Sequence, residues 1–387
     1  MAMSREDWRK AALLLVSSLT VMSNATIAAS MPRMAQVFKD TPHAEFLAKL
    51  VLTTPALLIV ICAPLAGAFI DRFGRLRFLY VNLLLYGLAG GSGFVLESLP
   101  EILVGRALLG VAVAGIMTTS TTLLGDYYTG EARIRYAGTQ SLFMSLGGVV
   151  FIGAGGILAE FNWRLPFLIY LSSWVILIPA VRFLDEPPRH VRQANSGPDH
   201  PAPIATLALA YSLIFFALVM FYMTPVQIPF LLRDIGITST AMAAGPIVIG
   251  SLASAASAMA LTRLRRFMGY VSVYAFSMML IAAGYGIIAI AQGYALVLVG
   301  AAVSGLGVGI IFTNSGLWVT ALAPPRLRGR LLGMMTASIY LGQFSSPILV
   351  QPAVSVSGLS GAFGIFAGIA AAASMMLLVA QWMAARR

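Results

Sequence analysis

Residues 133–147 read RIRYAGTQSLFMSLG, and residues 328–342 read RGRLLGMMTASIYLG. Placed one above the other at a shift of 195, Arg133 falls on Arg328, Arg135 on Arg330, Gly138 on Gly333 and Gly147 on Gly342. The same shift carries Gly74 onto Gly269, Gly105 onto Gly300 and Gly110 onto Gly305. Glycines and arginines are the informative matches, because apolar residues coincide by chance in a chain that is 59% hydrophobic. The shift is about half of 387 residues, so the chain is expected to consist of two same-direction repeats.

The solvent of those repeats follows from composition. Only 10% of residues are charged, and the mean hydropathy is +0.88. Twelve apolar stretches are long enough to cross roughly 30 Å of hydrocarbon as helices. They cover residues 11–31, 45–70, 78–96, 101–125, 136–160, 166–184, 204–231, 239–262, 270–291, 294–321, 330–353 and 359–383. Pro55, Pro64, Pro225, Pro246 and Pro347 fall inside them, which packed membrane helices tolerate. The fold class expected is therefore all-α integral membrane, with two six-helix bundles at 1–184 and 204–387. Between them, 185–203 is proline-rich and polar, the composition of an extended linker. Two repeats of this kind in a membrane are the layout of a two-bundle transporter.

Basic residues set the orientation. With the N-terminus inside, the inner segments carry Arg5, Arg9, Lys10, Arg72, Arg75, Arg77, Arg133, Arg135, Arg182, Arg189, Arg192, Arg263, Arg265, Arg266, Arg326, Arg328, Arg330, Arg386 and Arg387. The outer loops carry Arg33, Lys39, Lys49, Arg164 and Arg233, and Arg106 lies within a span. This asymmetry puts both termini in the cytoplasm; the membrane expected is a cell membrane of the bacterial inner-membrane type. It also accounts for the +11 net charge, which is scattered over short segments rather than gathered into a nucleic-acid face. The first apolar stretch has no small-residue cleavage site before Pro32 and is read as a span. Cys62 is alone, which excludes an intrachain disulfide, and no cofactor or metal is expected.

Between the second and third spans runs Gly67-Ala-Phe-Ile-Asp71-Arg72-Phe-Gly74-Arg75-Leu-Arg77. It resembles the GxLaDrxGrkxxl signature of the major facilitator superfamily, and helix number, linker and half-repeat agree over the whole chain. Within the family it resembles the twelve-helix drug and sugar efflux branch. Gly67 is expected to allow a close helix contact and Gly74 a tight turn. Asp71 at the membrane boundary needs a positive partner, for which Arg75, Arg133 and the N-terminus of the eleventh span are candidates. The bland reading of the basic residues is topogenic charge alone. The second copy, Thr262-Arg263-Leu-Arg265-Arg266-Phe-Met-Gly269, has Arg266 in the place of Asp71. The resemblance thus implies that Gly67, Asp71, Arg72, Gly74, Arg75, Asp126 and Arg133 form a gate in the first half.

The fourth span contains Leu103-Val-Gly105-Arg106-Ala-Leu-Leu-Gly110, similar to a second family motif. Arg106 is the only basic residue deep in a span, and such a charge needs water or a partner. The competing reading is a structural arginine reaching the outer surface. It lies about 7 Å below the outer face, close to the level of Asn24 on the first span. Because the family's first and fourth helices line its cavity, the resemblance implies that Asn24 and Arg106 meet there. Met22-Ser-Asn24-Ala-Thr26 resembles a pattern of drug exporters, with Asn24 where many have an acid. Of fourteen Asp and Glu, none sits mid-span. Gly147-Gly148-Val-Val-Phe151-Ile152-Gly153-Ala-Gly155-Gly156 resembles a degenerate antiporter motif, and equally suits plain helix packing.

Gln140, Tyr222, Gln227, Asn314, Trp318, Tyr340 and Gln343 are further polar or aromatic candidates for a cavity, or else ties between helices. With 19 Met and 21 Phe they suggest an adaptable, amphiphilic pocket. No GxxxxGK[ST] loop is present for a pump, and His43, His190 and His200 all lie in loops, so catalysis is not expected. The functional expectation is efflux of a small amphiphilic molecule by alternating access, with protons as candidate coupling ion, working as a monomer in the bilayer. The alternatives are uptake or facilitated diffusion of an organic anion paired with Arg106, and a sensor of the same fold.

Overall fold

The computed structural model describes residues 4–187, 203–324 and 327–385, without the side chains of 24, 25, 134, 384 and 385. The chain divides into two compact units, Met1–Arg192 and Gln193–Arg387. Helices of the first unit are α1 (Arg5–Ala25), α2 (Met31–Val37), α3 (Ala44–Phe73), α4 (Arg75–Gly91), α5 (Leu99–Tyr127), α6 (Gly130–Phe161) and α7 (Ser172–Phe183). The second unit holds α8 (Ile204–Asp234), α9 (Thr240–Leu264), α10 (Tyr270–Ala289), α11 (Tyr294–Leu322) and α12 (Arg328–Ala385). No strand occurs among the described residues.

Ten helical segments among the described residues are long and apolar enough to cross a membrane. Two details relate them to the twelve expected spans. Helix α4 has only 17 residues and is prolonged by a 3-10 turn at Ser92–Phe94. Helix α12 breaks at Gly358, whose φ of +69° only glycine adopts without strain, and so contains two spans. Several helices begin earlier than hydropathy suggests, because polar caps extend them. Ser4 opens α1 with a capping box: its hydroxyl accepts from Asp7 N at 3.2 Å and its own N donates to Asp7 Oδ2. Ser98 caps α5 through its hydroxyl, which accepts from Glu101 N, and Ser239 does the same at Met242 N for α9, which starts where hydropathy puts it. The sixth span starts as a 3-10 segment, Leu165–Leu171, before α7. Lys49, counted above with the outer loops, lies inside α3, where it is buried and pairs with Glu45 at 3.0 Å.

The repeat recurs at the level of helix contacts. A Cβ added at Gly110 of α5 would sit 2.4 Å from the Pro55 carbonyl of α3. Its repeat partner Gly305, on α11, would meet the Gly250 carbonyl of α9 at 2.3 Å, and 55 and 250 differ by the same 195. Likewise Gly105 faces the Ala89 carbonyl, and Gly300 faces that of Gly284. In both units, small residues let backbones touch where apolar side chains gain little from one another over lipid. On α6 the glycine run packs on α1, and a Cβ at Gly155 would strike the Thr26 carbonyl.

These contacts predict a selective response to added methyl groups. Gly110→Ala and Gly305→Ala should each lower thermal stability in detergent by about 1–3 kcal/mol, since the obstructing atoms are backbone. Gly153→Ala and Gly333→Ala, which meet nothing within 4 Å, should be close to neutral.

Candidate functional site

Pro55 lacks an N–H, so the Val51 carbonyl, one helical turn earlier in α3, has no donor within its own helix. Arg106 supplies it. The Arg106 Nε donates to Val51 O at 2.9 Å, and Nη2 donates to Ser23 O at 2.6 Å. Ser23 lies in the last turn of α1, where helix ends leave carbonyls unsatisfied and where the chain passes into a 3-10 turn at Ala28–Ser30. Tyr170 donates its hydroxyl to the same carbonyl at 3.2 Å, and its ring lies 5.1 Å from the guanidinium carbon. Tyr86 stacks obliquely on Tyr170 and donates to Leu19 O at 2.8 Å. Arg106 is 1% exposed, and its Nη1 has no hydrogen-bond partner among the described residues. The cation is thus held by backbone dipoles of α1 and α3, without a carboxylate. Asn24 has its side chain outside the described residues, but Arg106 reaches the carbonyl of its neighbour.

The second unit departs here. Ala301 holds the register position of Arg106 and lines a cavity of about 10 Å³ with Thr224, Ser251, Tyr285, Ser304 and Gly305. Gly250 stands where Pro55 does and keeps its N–H, so it frees no carbonyl for a side chain to satisfy.

At the other end of the first unit, Gly74 turns the chain from α3 to α4 with φ +88°. Arg75 Nε bonds Asp126 Oδ2 at 2.7 Å, with both side chains largely shielded. Arg133 reaches over Gly125, its guanidinium 3.7 Å from a Cβ built there. Asp71 is exposed and forms no ion pair among the described residues, so neither Arg75 nor Arg133 is its partner here. The reason is reach: Arg75 is already committed to the carboxylate at the end of α5. Arg72 is exposed with its guanidinium 5.5 Å from the Phe73 ring. Gly67, expected at a close helix contact, would meet nothing within 4 Å if given a Cβ.

Sequence reading missed Glu186. Its carboxylate accepts from Arg75 N and Leu76 N, each at 2.8 Å, and so caps α4 at the positive end of the helix dipole. Beside it, Asp185 pairs with Arg5 at 3.0 Å and accepts a hydrogen bond from Tyr127 on its carbonyl. These two residues, read as the start of a linker, belong to the packing of the first unit. The rest of that linker, 188–202, lies outside the described residues.

The remaining candidates separate into ties and unmatched groups. Gln140 Nε2 donates to Ser17 Oγ at 2.6 Å, joining α6 to α1. Asn314 Nδ2 donates to Tyr270 O at 3.1 Å, and Trp318 stacks on the Tyr270 ring, so these two converge on one residue. Gln227 is buried with neither side-chain head atom bonded, and Gln343 Nε2 and Asn314 Oδ1 are likewise unmatched. Tyr222 and Gln227 on α8, and half-buried Tyr340 and buried Gln343 on α12, occupy helices joined by Ser346 Oγ donating to Val219 O at 2.7 Å. Among the described residues no group of His, Cys, Asp and Glu is arranged to hold a metal.

The profile of the Major Facilitator Superfamily matches residues 13–269 and 210–386. The chain belongs to this superfamily of membrane transporters. Multidrug resistance protein 1 of Bacillus subtilis (strain 168) is 31% identical over 137 residues, 35% of either chain. The bacillibactin exporter of the same organism is 29% identical over 163 residues, 40% of each. The class C tetracycline resistance protein of Escherichia coli is 29% identical over 167 residues, 41% of this chain and 40% of that one. The matched region therefore spans well under half the length of these relatives. Solved structures share the fold at low identity. A bacterial homologue of the human lysosomal transporter Spinster gives a TM-score of 0.77 at 15% identity, covering 97% of both chains. A D-xylose–proton symporter gives 0.76 at 13%, also with 97% of both.

The Arg106 geometry predicts a specific coupling within the first unit. Arg106→Ala leaves the Val51 carbonyl without a donor and the Ser23 carbonyl with Tyr170 alone, and should cost about 1–3 kcal/mol of stability. Pro55→Ala restores a backbone N–H for Val51 and should offset part of that loss. A double-mutant cycle measured by thermal unfolding in detergent checks it: additive effects would mean that Arg106 does not serve the proline-freed carbonyl.

Proposed function

We propose that this superfamily member is a secondary active transporter that exports a small amphiphilic molecule, such as a drug or metabolite, by alternating access. The observation that carries the reading is the recurrence of the same glycine-on-backbone contacts in two units, Gly110 on Pro55 and Gly305 on Gly250. Two like rigid bodies are what alternating access requires. Export is supported by the similarity of part of the chain to exporters and resistance proteins. The setting is a cell membrane of the bacterial inner-membrane type, with both termini cytoplasmic and a monomeric working unit.

Protons are the proposed counter-ion, and the acids on offer for them stand at helix ends. Asp126, bonded to Arg75, and exposed Asp71 are the two at the gating loop. Neutralising Asp126 frees Arg75 from α5 and so biases the conformational equilibrium instead of touching substrate. A bias of about 1.4 kcal/mol changes the ratio of states tenfold. The substrate positions favoured are Gln227 and Gln343, where buried polar atoms lack partners, with Tyr222 and Tyr340 beside them on the same two helices. A second reading, passage of an organic anion, rests on the unbonded Nη1 of Arg106. Its burial at 1% and its two carbonyl bonds weigh against it.

The test is flux in proteoliposomes under an imposed proton gradient, with a fluorescent amphiphilic dye as probe. Gradient-driven dye movement that a protonophore abolishes, and that Asp126→Asn slows about tenfold, supports the proposal. Dye flux indifferent to the gradient would remove proton antiport. Flux of an organic anion alone, lost in Arg106→Lys, would favour the second reading, and no flux of either would point to a sensor.

A further inference from the structure

The second inner loop, between α9 and α10, has Arg266 in the register position of Asp71 and Ala321 in that of Asp126. The ion pair of the first unit therefore has no counterpart there. An aromatic stack stands in its place. The Arg265 guanidinium carbon lies 3.6 Å from the centre of the Tyr270 ring, in the distance range of a strong cation–π contact. The second partner of the Tyr270 ring is Trp318 of α11, at 5.8 Å between ring centres and 10° between planes. Trp318 is 5% exposed and carries the tilted Tyr274 ring at 5.6 Å, while Tyr274 is hydrogen-bonded to Ser315. Asn314 adds a bond from its Nδ2 to Tyr270 O, and Arg265 Nη1 closes the loop on Met268 O at 3.1 Å.

Register makes the comparison pointed. Tyr270 is the first residue of α10, and 195 residues earlier Arg75 is the first residue of α4. Arg75 reaches the end of α5 at Asp126, and Tyr270 reaches the last turns of α11 at Trp318. Both fasten the start of one helix to the end of the next. We propose that Tyr270 is the positioning residue of the second inner loop, held by both Arg265 and Trp318, and that this stack performs there the task of the Arg75–Asp126 ion pair. Trp318 and Asn314 then serve the loop and not the substrate. The consequence for transport rests on the alternating-access reading, whereas the anchor itself does not.

Amide hydrogen exchange on the full chain in lipid nanodiscs tests it. Tyr270→Leu and Trp318→Leu should speed exchange over residues 264–272 by about tenfold, as loss of a stacked, desolvated aromatic contact implies. Tyr270→Phe and Trp318→Phe keep the rings and should stay close to the parent. Arg265→Gln removes the cation and its bond to Met268 O from a half-exposed position, leaves intact the packing that the leucine variants put at risk, and should give an intermediate increase. The α3–α4 loop should be unaffected in all of them. Parent-like protection in the leucine and glutamine variants would overturn the proposal. So would equal loosening of both loops, or phenylalanine variants as mobile as leucine ones. Altered dye affinity in Trp318→Phe with unchanged loop protection would return Trp318 to the substrate site. A chain that moves no dye at all would defeat the transport reading and leave the exchange result standing.

Discussion

A proline in α3 takes away one backbone donor, and the first unit is organised around replacing it. Pro55 leaves the Val51 carbonyl without its helical partner, in surroundings where no water is at hand to substitute. The guanidinium of Arg106 fills that place and, with its second arm, ties down the loose end of α1 at Ser23. The reach is short because Gly110, one turn further along α5, lets the two helices touch at Pro55. Proline, arginine and glycine are thus one device spread over two helices. None of the three explains itself alone.

The same reasoning accounts for what the second unit lacks. With Gly250 in place of Pro55, the α9 backbone keeps its donor at that position, and Ala301 can stand where the arginine would be. Helix contacts are conserved between the units, while the polar chemistry laid over them is not. Glycines at 105, 110, 300 and 305 preserve the first, and the exchange of Arg75–Asp126 for Arg265–Tyr270–Trp318 illustrates the second. The two units therefore share their helix contacts and differ in the polar and aromatic contacts laid over them.

Much of the fold was legible because its signals are local or periodic. Span lengths come from runs of apolar residues, and the repeat shows in glycines and arginines that chance does not align. Caps such as Ser4 and Ser98 moved boundaries by a few residues. What stayed hidden depends on separations that no spacing rule covers. Glu186 reaches α4 across 111 residues, and nothing about an acid beside prolines marks it as a helix cap. Arg106 drew notice as an intramembrane charge, yet the expectation of a cavity group overlooked Pro55, whose missing N–H is just as visible in sequence. Asp71 looked bound to have a partner from its position alone, but Arg75 is taken by Asp126.

Glu186 also has a bearing on how the chain can be divided. It lies on the far side of the last helix of the first unit, and together with Asp185 it is needed to finish the ends of α4 and α1. The natural seam of the molecule is therefore not where the apolar span stops, at about residue 184, but a little beyond Pro187. A fragment cut at the hydropathy boundary would leave the amide groups of Arg75 and Leu76 open to solvent. One cut a few residues later would carry its own stopper for them.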